Sequence, residues 1–311
     1  MNKVRKLAYS QKAAPYLFLA PFLISFLVFN LYPIGSSFLM SFQKLKGFNT
    51  YQWVGLENYK NLWNANFGAA LKTTTVVTLF ECIVLTVFPL FLAIVLNGKF
   101  FKGRNIFRAV FFIPTLASTI VAGIVFRMLF SEMPSAFMNS LLHALGIPAQ
   151  NFMLNYSWSI VLMVLLGTWK SAGLYMIYFL SGLQAIPQDV YESAEIDGAG
   201  EWGKLRYITI PLLKPIAIYV FTILIFEGYR TFGESYVFWK ESMPGNLGMT
   251  MVRYLYQQGF TYGNLTLSSS QFPKHLFISE ILVFSQPSPN TNTPAALGWF
   301  ISPTSIFLVF S

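Results

Sequence analysis

The sequence contains five apolar runs, each long enough to cross a lipid bilayer. They cover residues 16–42, 73–96, 109–130, 158–182 and 211 to about 232. The hydrocarbon core of a bilayer is about 30 Å thick, and a helix of roughly 20 apolar residues crosses it. Only 11% of the residues are charged, which is about half the share found in soluble domains. The chain is therefore predicted to be an all-α membrane protein, a polytopic helical bundle.

The distribution of basic residues predicts the orientation of this bundle. Segment 1–15 holds Lys3, Arg5, Lys6 and Lys12, and loop 97–108 holds four basic residues and no acid. Because such residues collect in the cytoplasm, both segments are predicted to be cytoplasmic. Segments 43–72, 131–157 and 233–264 then lie outside by parity, and loop 183–214 lies in the cytoplasm. The first run is too long for a signal peptide and is predicted to be an uncleaved helix.

Loop 183–214 contains a polar, acid-rich stretch, residues 186–211, between two apolar runs. Five of the twelve acids of the chain fall between Asp189 and Glu201. Pro187 suits a first helical position and Gly198 suits a helix end. We therefore expect a helix-turn-helix between spans four and five, with a second short helix around residues 201–207, lying across the membrane surface.

The side chains of the first of these two helices are expected to divide between two faces. Val190, Tyr191 and Ala194 should pack inward, while Glu192 and Glu195, three residues apart, should share a face directed at the cytosol. Two functions remain open on this evidence. The segment is either a solvated amphipathic loop or a docking element for another protein.

A spaced signature lies within this loop. Glu192-Ser193-Ala194 is followed after three residues by Gly198, and after nine more by Ile208-Thr209-Ile210-Pro211. This pattern resembles the loop signature of the transmembrane subunits of ATP-binding cassette (ABC) importers: Glu-Ala-Ala, three residues, Gly, nine residues, Ile-x-Leu-Pro. Two positions depart from this pattern. Ser193 replaces the first Ala with another small residue, and Ile210 replaces Leu with another apolar residue.

Longer stretches resemble the sugar-transport branch of that family, in the subunit similar to maltose and glycerol-phosphate permeases. They read APYLFLAPFLISFLVFNLYPIGSSFLMSF, FRAVFFIPTLAS, GTWKSAGLYMIYFLSGLQAIP and IDGAGEW with ITIPLLKP. The resemblance covers residues 16–265, the expected transmembrane domain. It implies a permease subunit that translocates a sugar or related solute in the cytoplasmic membrane of a bacterium or archaeon.

The resemblance also implies partners and coupling residues. The expected partners are a second homologous permease subunit, a cytoplasmic ATPase dimer, an extracytoplasmic solute-binding protein and the lipid bilayer. Gly198 would allow close approach of the ATPase backbone, and Glu192 would make a charge-assisted hydrogen bond to it. The full set of expected ATPase-coupling residues is Glu192, Ser193, Ala194, Asp197, Gly198, Ile208 and Pro211.

Other functional classes find little support. Gly198 to Leu205 matches a phosphate-loop pattern, but Leu205 offers no hydroxyl to magnesium and no strand precedes the glycine. With two histidines and no clustered cysteines, neither a catalytic site nor a metal site is expected, nor is a cofactor. The sequence has no dense run of basic residues of the kind that binds nucleic acid. ATP hydrolysis is expected in a separate subunit.

Two ionisable residues lie inside the spans, Glu81 and Lys170, where charge is expensive unless it faces water or a partner. Two roles are open for Lys170: pairing with Glu81 or another carboxylate, or contact with a solute. The possible translocation path comprises Glu81, Trp169, Lys170, Tyr175 and Tyr178. The alternative function is an ion-coupled secondary transporter, although Glu81 is the one acid suited to it and no internal repeat is visible.

The segment 266–311 departs from the family pattern. Residues 276–284 are too few to span and include Glu280, while residues 297–310 include Pro303 and would cover only about 21 Å as a helix. We expect about six transmembrane helices, with an atypical sixth. Either a shifted reading frame has replaced the sixth helix, or it is a divergent, kinked span.

Overall fold

A computed structural model of the chain describes residues 14–45, 51–98, 103–239 and 244–262. These residues divide into two compact units, a larger one of residues 64–255 and a smaller one of the described residues before 64 and after 255. The predictions for the first thirteen residues and for segment 266–311, including the sixth helix, lie outside the described residues. The observed architecture is helical, with one short hairpin.

The smaller unit contains the first apolar run, which forms helix α1, Ala14–Met40, with a π-turn at Leu27–Leu31. Its 18-residue apolar window has no buried residue within the described chain. A two-stranded antiparallel hairpin follows, β1 (Gln43–Leu45) with β2 (Tyr51–Trp53), and then helix α2, Glu57–Leu62. The Asn58 amide holds the hairpin by donating to the carbonyls of Ser41, at 2.9 Å, and Gln43, at 2.8 Å.

The larger unit opens with helix α3, Ala65–Asn97, which contains the second apolar run. Asn64 caps it, because its side-chain oxygen accepts the Phe67 N–H at 2.9 Å and so satisfies an otherwise free helical donor. Its first eight residues precede the apolar run, so the helix starts earlier than residue 73, where the run begins.

The third apolar run, which was predicted as a span, is broken into two helices in this structure. It forms helix α4, Arg104–Phe112, a 3-10 turn at Ile113–Leu116, and helix α5, Thr119–Leu129. The two parts, 104–116 and 119–129, meet at an angle of 97°. Pro114 lies in the 3-10 turn and cannot donate a helical hydrogen bond. Ala117 and Ser118 then adopt extended ψ angles of 138° and 132°.

The fourth run forms helix α7, Tyr156–Ala185, after a short helix α6, Phe137–Ala144. Helix α8, Gln188–Ile196, then begins directly after Pro187, which caps the helix as its N-cap residue instead of being its first helical residue. The segments α9 (Glu201–Lys204), a π-turn at Leu205–Thr209, and α10 (Ile210–Tyr229) form one continuous helix.

This continuity corrects the prediction of a second short helix around residues 201–207 on the membrane surface. Those residues instead form the first turns of the fifth apolar helix. Pro211 has no N–H to donate to the preceding turn, and the π-turn at Leu205–Thr209 accommodates that loss without ending the helix.

Two further short helices complete the described chain, α11 (Gly233–Trp239) and α12 (Met251–Tyr256). Among the described residues, four helices are long and apolar enough to cross a membrane, or five if the bent pair is one crossing. This agrees with the predicted all-α membrane bundle and with its first five apolar runs.

Helix α7 is the centre of the larger unit, and three of its glycines lie where a neighbour comes close. A Cβ atom at Gly167 would meet the Glu81 carboxylate, and one at Gly173 would meet the backbone of Phe111 and Phe112. A Cβ at Gly182 would meet side chains of α10. Small residues of this kind let helices pack closely in membranes.

Replacing Gly173 with Ala should therefore weaken the larger unit. The added methyl group would overlap the Phe111 carbonyl, which belongs to backbone and cannot turn away as a side chain can. Overpacking of this kind costs about 1–3 kcal/mol. We expect a lower melting temperature in detergent for Gly173→Ala.

The matched control is Gly68→Ala in α3, where no atom lies within 4 Å of the added Cβ. That variant should melt at or above the wild-type temperature, because Ala favours a helix more than Gly. Equal melting of Gly173→Ala and wild type would contradict the close approach at α7.

Candidate functional site

The loop between α7 and α10 is the first candidate site, and α8 is its most exposed part. No residue of α8 is buried. Tyr191 and Ala194 are half-buried, as predicted, but Val190 is exposed, so its predicted inward packing is wrong. Glu192 is also exposed, as predicted.

Gly198 ends α8 with a left-handed backbone. Its φ angle is +80°, a region that glycine enters without the steric cost paid by other residues. The Gly198 N–H donates to the Glu195 carbonyl at 3.0 Å, and the Ala199 N–H donates to the Ala194 carbonyl at 2.8 Å. This pair of bonds is the Schellman arrangement of a helix end.

Two side-chain contacts fix α8 to the helix that follows. The Lys204 ammonium donates to Oε1 of Glu195 at 2.5 Å and to Oε1 of Glu201 at 2.9 Å. The hydroxyls of Tyr191 and Thr209 lie 2.9 Å apart. Glu195 is exposed, as predicted, and it also binds Lys204. The loop is therefore held against the start of the fifth apolar helix.

Several residues of this loop are exposed, and we call this set the coupling surface. Its two apolar members are Ile196, 86% exposed, and Trp202, 79% exposed. The coupling surface consists of Glu192, Ser193, Ile196, Asp197 and Trp202, all of them exposed.

Ile196 and Trp202 were not predicted from the sequence. Their signal was present, since both are large apolar residues inside a stretch dominated by acids. Two expected coupling residues lie elsewhere. Ile208, in the π-turn, is half-buried, and Pro211 is exposed near the start of α10.

The geometry of Lys204 also bears on the phosphate-loop resemblance. Its ammonium is occupied by two carboxylates, so it is not available to a phosphate. Within the described residues, no three side chains of His, Cys, Asp or Glu lie close enough to hold a metal ion.

The second candidate site concerns the ionisable residues inside the spans. Glu81 is buried at 8% exposure and lies against Gly167 of α7. The Lys170 ammonium donates to the Thr119 hydroxyl at the start of α5. The Thr115 hydroxyl, in the 3-10 turn, donates to the Lys170 carbonyl at 2.9 Å. Lys170 thus lies beside the break in the third apolar run.

One of the roles left open for Lys170, pairing with Glu81, is not seen among the described residues. The ion pairs within the described part of the chain are Lys44–Glu57, Lys204–Glu195, Lys204–Glu201 and Arg230–Glu227. The glycine at position 167 brings Glu81 to α7 one turn before Lys170, where the carboxylate packs against the helix backbone instead of reaching the ammonium.

The aromatic residues of the predicted path divide into buried and accessible members. Tyr175 is buried and Trp169 packs on Phe126, with ring centroids 5.6 Å apart. Tyr178 contacts Tyr175, at 6.0 Å, and Tyr219 of α10, at 5.9 Å, edge to face in both cases. Tyr219 is 55% exposed, and sequence reasoning did not single it out. These three tyrosines form a row that we call the tyrosine row.

Comparison with known proteins finds a family model that matches residues 86–262, described as a binding-protein-dependent transport system inner membrane component. The arabinooligosaccharides transport system permease protein AraP of Bacillus subtilis (strain 168) is 52% identical over 261 residues, which are 84% of this chain and 83% of that protein. The lactose transport system permease protein LacF of Rhizobium radiobacter is 31% identical, over 79% of this chain and 83% of its own length.

Solved structures give the same architecture. A bacterial ABC transporter involved in the import of the acidic polysaccharide alginate contains a chain that superimposes with a TM-score of 0.73 at 22% identity. The match covers 91% of this chain and 95% of that one. A structure of the alginate transporter with its pentasaccharide-bound periplasmic protein matches with the same TM-score. At this identity the likeness shows the fold alone.

Both the family model, which covers more than half of the chain, and the similarity to permeases of sugar importers confirm the resemblance seen in the sequence. These matches rule out the alternative function, an ion-coupled secondary transporter. The chain belongs to the family of inner membrane components of binding-protein-dependent transport systems, and it is a multi-pass membrane permease of an ABC importer.

Proposed function

We propose that this permease translocates a neutral oligosaccharide and receives the force for transport from a separate ATPase through the coupling surface. The observation that carries the proposal is the exposure of Ile196 and Trp202 beside Glu192 and Asp197 on a rigidly held loop. Apolar side chains ringed by polar ones are typical of a protein-protein contact. The similarity to AraP makes an arabinose-containing oligosaccharide the first candidate solute.

The partners follow from the family. A cytoplasmic ATPase dimer docks at the coupling surface, a second homologous permease completes the pathway, and an extracytoplasmic binding protein delivers the sugar. The basic residues of segment 1–15 and of loop 97–108 support an orientation with the N-terminus and the coupling surface in the cytoplasm.

The contacts behind the coupling surface explain how force would pass into the membrane. Lys204 binds a carboxylate on α8 and another on its own helix, and the Tyr191–Thr209 contact adds a second attachment. A displacement of α8 by the ATPase would therefore move residues 201–228 with it, because that helix is continuous. Rigid-body motion of such packed elements is a common form of conformational switching.

The tyrosine row supports a position for the sugar. Tyr178 and Tyr219 are the accessible members, on neighbouring helices, while the buried Tyr175 holds Tyr178 in place. Trp169 and Lys170 lie earlier on α7, where they contact Phe126 and Thr119 of α5, and they remain further candidates for the path. Glu81 is assigned a packing role, because Gly167 covers it.

The first test of coupling is Glu192→Ala. We expect transport per ATP hydrolysed to fall about ten-fold or more in proteoliposomes containing the complete transporter, because loss of a charge-assisted contact at an interface costs about 1.5–3 kcal/mol. The two measurements are uptake of radiolabelled sugar and release of phosphate.

Asp189→Asn is the matched control, since Asp189 is another exposed acid on the same helix but lies outside the coupling surface. It should transport like wild type. If Glu192→Ala also keeps the wild-type ratio of transport to hydrolysis, Glu192 does not contribute to coupling.

A second test separates two roles of Gly198. Because its φ angle is +80° and no atom lies within 4 Å of an added Cβ, the chain itself has room for a side chain there. Asn adopts the left-handed region more readily than Ala does, for which that region costs about 1–2 kcal/mol. If helix termination is its role, Gly198→Ala should reduce coupled transport more than Gly198→Asn.

The reverse order would have a different meaning. If the ATPase backbone approaches Gly198 closely, the larger Asn side chain should impair coupling more than Ala. A helix-termination role is therefore contradicted when Asn is the worse substitution in the same proteoliposome assay.

The tyrosine row is tested by Tyr178→Ala and Tyr178→Phe. Loss of the ring should lower the maximal rate of sugar uptake about five-fold, since aromatic contacts contribute about 0.5–1.5 kcal/mol. Phe keeps the ring and should retain most of the rate. Size-exclusion chromatography of each complex checks assembly, and uptake at the wild-type rate by an intact Tyr178→Ala complex would remove this residue from the path.

A further inference from the structure

A small pocket lies at the end of the larger unit opposite to the coupling surface. It has a volume of about 210 Å³ and lies between the first turns of α3, the start of α7 and the 3-10 turn at Pro244–Asn246. Its lining residues are Ala69, Lys72, Thr73, Tyr156, Gly245 and Asn246. Each residue of a helix adds about 1.5 Å, so the two ends of α7 are about 45 Å apart. This pocket and α8 therefore lie on opposite sides of a membrane.

Lys72 is the charged group of this pocket. Its ammonium lies 5.7 Å from the centroid of the Tyr156 ring, in a cation-π contact. The side chain is exposed, and the ion pairs formed within the described residues do not include it. No acid lines the pocket, so the positive charge of Lys72 has no carboxylate neighbour there.

The other polar groups add hydrogen-bond donors. The Thr73 hydroxyl donates to the Tyr156 hydroxyl at 3.4 Å, so this bond does not use the Tyr156 proton. Tyr156 and Lys72 therefore present donors to the same space. A hydroxyl and an ammonium that share a small pocket suit a ligand with acceptors only, such as a carboxylate.

The rim of the pocket has a fixed backbone. Gly245 and Asn246 both have left-handed φ angles, +59° and +61°. The Asn246 side chain is tied to α3, because its amide donates to Oδ1 of Asn66 at 2.8 Å. A rim held in this way is ready to receive a ligand without first being ordered, which lowers the cost of binding.

Size and charge together limit the occupant. Pockets for drug-sized ligands begin at about 300 Å³, so this one is too small for an oligosaccharide. The Lys72 ammonium covers the face of the Tyr156 ring, and that ring is the aromatic surface on which a sugar would stack. A single carboxylate side chain meets both limits.

We propose that this pocket receives an Asp or Glu side chain of the solute-binding protein when that protein docks on the permease. The inference rests on the proposed function, which places this end of α7 outside the cytoplasm. It adds a specific contact, in which Lys72 pairs with the incoming carboxylate and Tyr156 donates a hydrogen bond to it.

The test uses the complete transporter in lipid nanodiscs and the sugar-loaded binding protein encoded beside this permease. ATP hydrolysis is measured as the binding protein is titrated. For Lys72→Met, the concentration that gives half-maximal stimulation should rise about three- to five-fold, the range of a partly exposed ion pair. Lys72→Arg should stay near wild type. The control Lys60→Met removes another exposed lysine of segment 43–72 and should cause no shift.

Salt provides a second readout. Raising the ionic strength from about 0.05 to about 0.3 M should weaken docking of the wild type more than docking of Lys72→Met, because exposed charges are screened. Equal titrations of Lys72→Met and wild type would overturn the inference and leave the proposed function intact. The inference would also be overturned if Lys72→Met, at saturating binding protein, changed only the sugar concentration that gives half-maximal stimulation. The pocket would then be a sugar site. If the binding protein fails to stimulate even the wild type, both proposals fall.

Discussion

In a bilayer, lipid is as apolar as leucine, so helices associate through close packing and polar contacts instead of through hydrophobic burial. Helix α7 meets this constraint with Gly167, Gly173 and Gly182, each placed against a different neighbour. The first receives a side chain of α3, the second the backbone at the end of α4, and the third side chains of α10. The positions of the tyrosine row and of the coupling loop both follow from this helix, because it carries two tyrosines of the row and leads into α8.

The spacing of the loop signature has a physical explanation in this fold. A left-handed Gly198 turns the chain through the two bonds of the helix end. The residues that follow then form one helical segment with a π-turn, which brings Thr209 back to Tyr191 and Lys204 to Glu195. A different number of residues after the glycine would rotate Thr209 and Lys204 to other faces of the helix, since successive residues differ by about 100° around its axis. The spacing of the signature thus preserves the attachment of α8 to the helix that follows.

Sequence reasoning predicted the helical class, the first five apolar runs and the turn at Gly198, because apolar length and glycine chemistry act locally. The predictions failed where the structure depends on contacts with neighbouring helices. Residues 109–130 are mostly apolar, yet Pro114 and the extended residues after it break them into two helices at 97°. The partner of Lys170 is Thr119 instead of Glu81, because that break brings the start of α5 to α7. Composition carries no signal for this geometry.

The broken third run has a consequence for how the protein is made. Its first part, residues 104–116, would extend only about 20 Å, too short to cross the hydrocarbon core by itself. Backbone at its break is tolerated within a membrane only where protein surrounds it, and that protein includes α7, through Gly173 and Lys170. Helix α7 lies later in the chain, so this run reaches its final position only after the ribosome has produced α7.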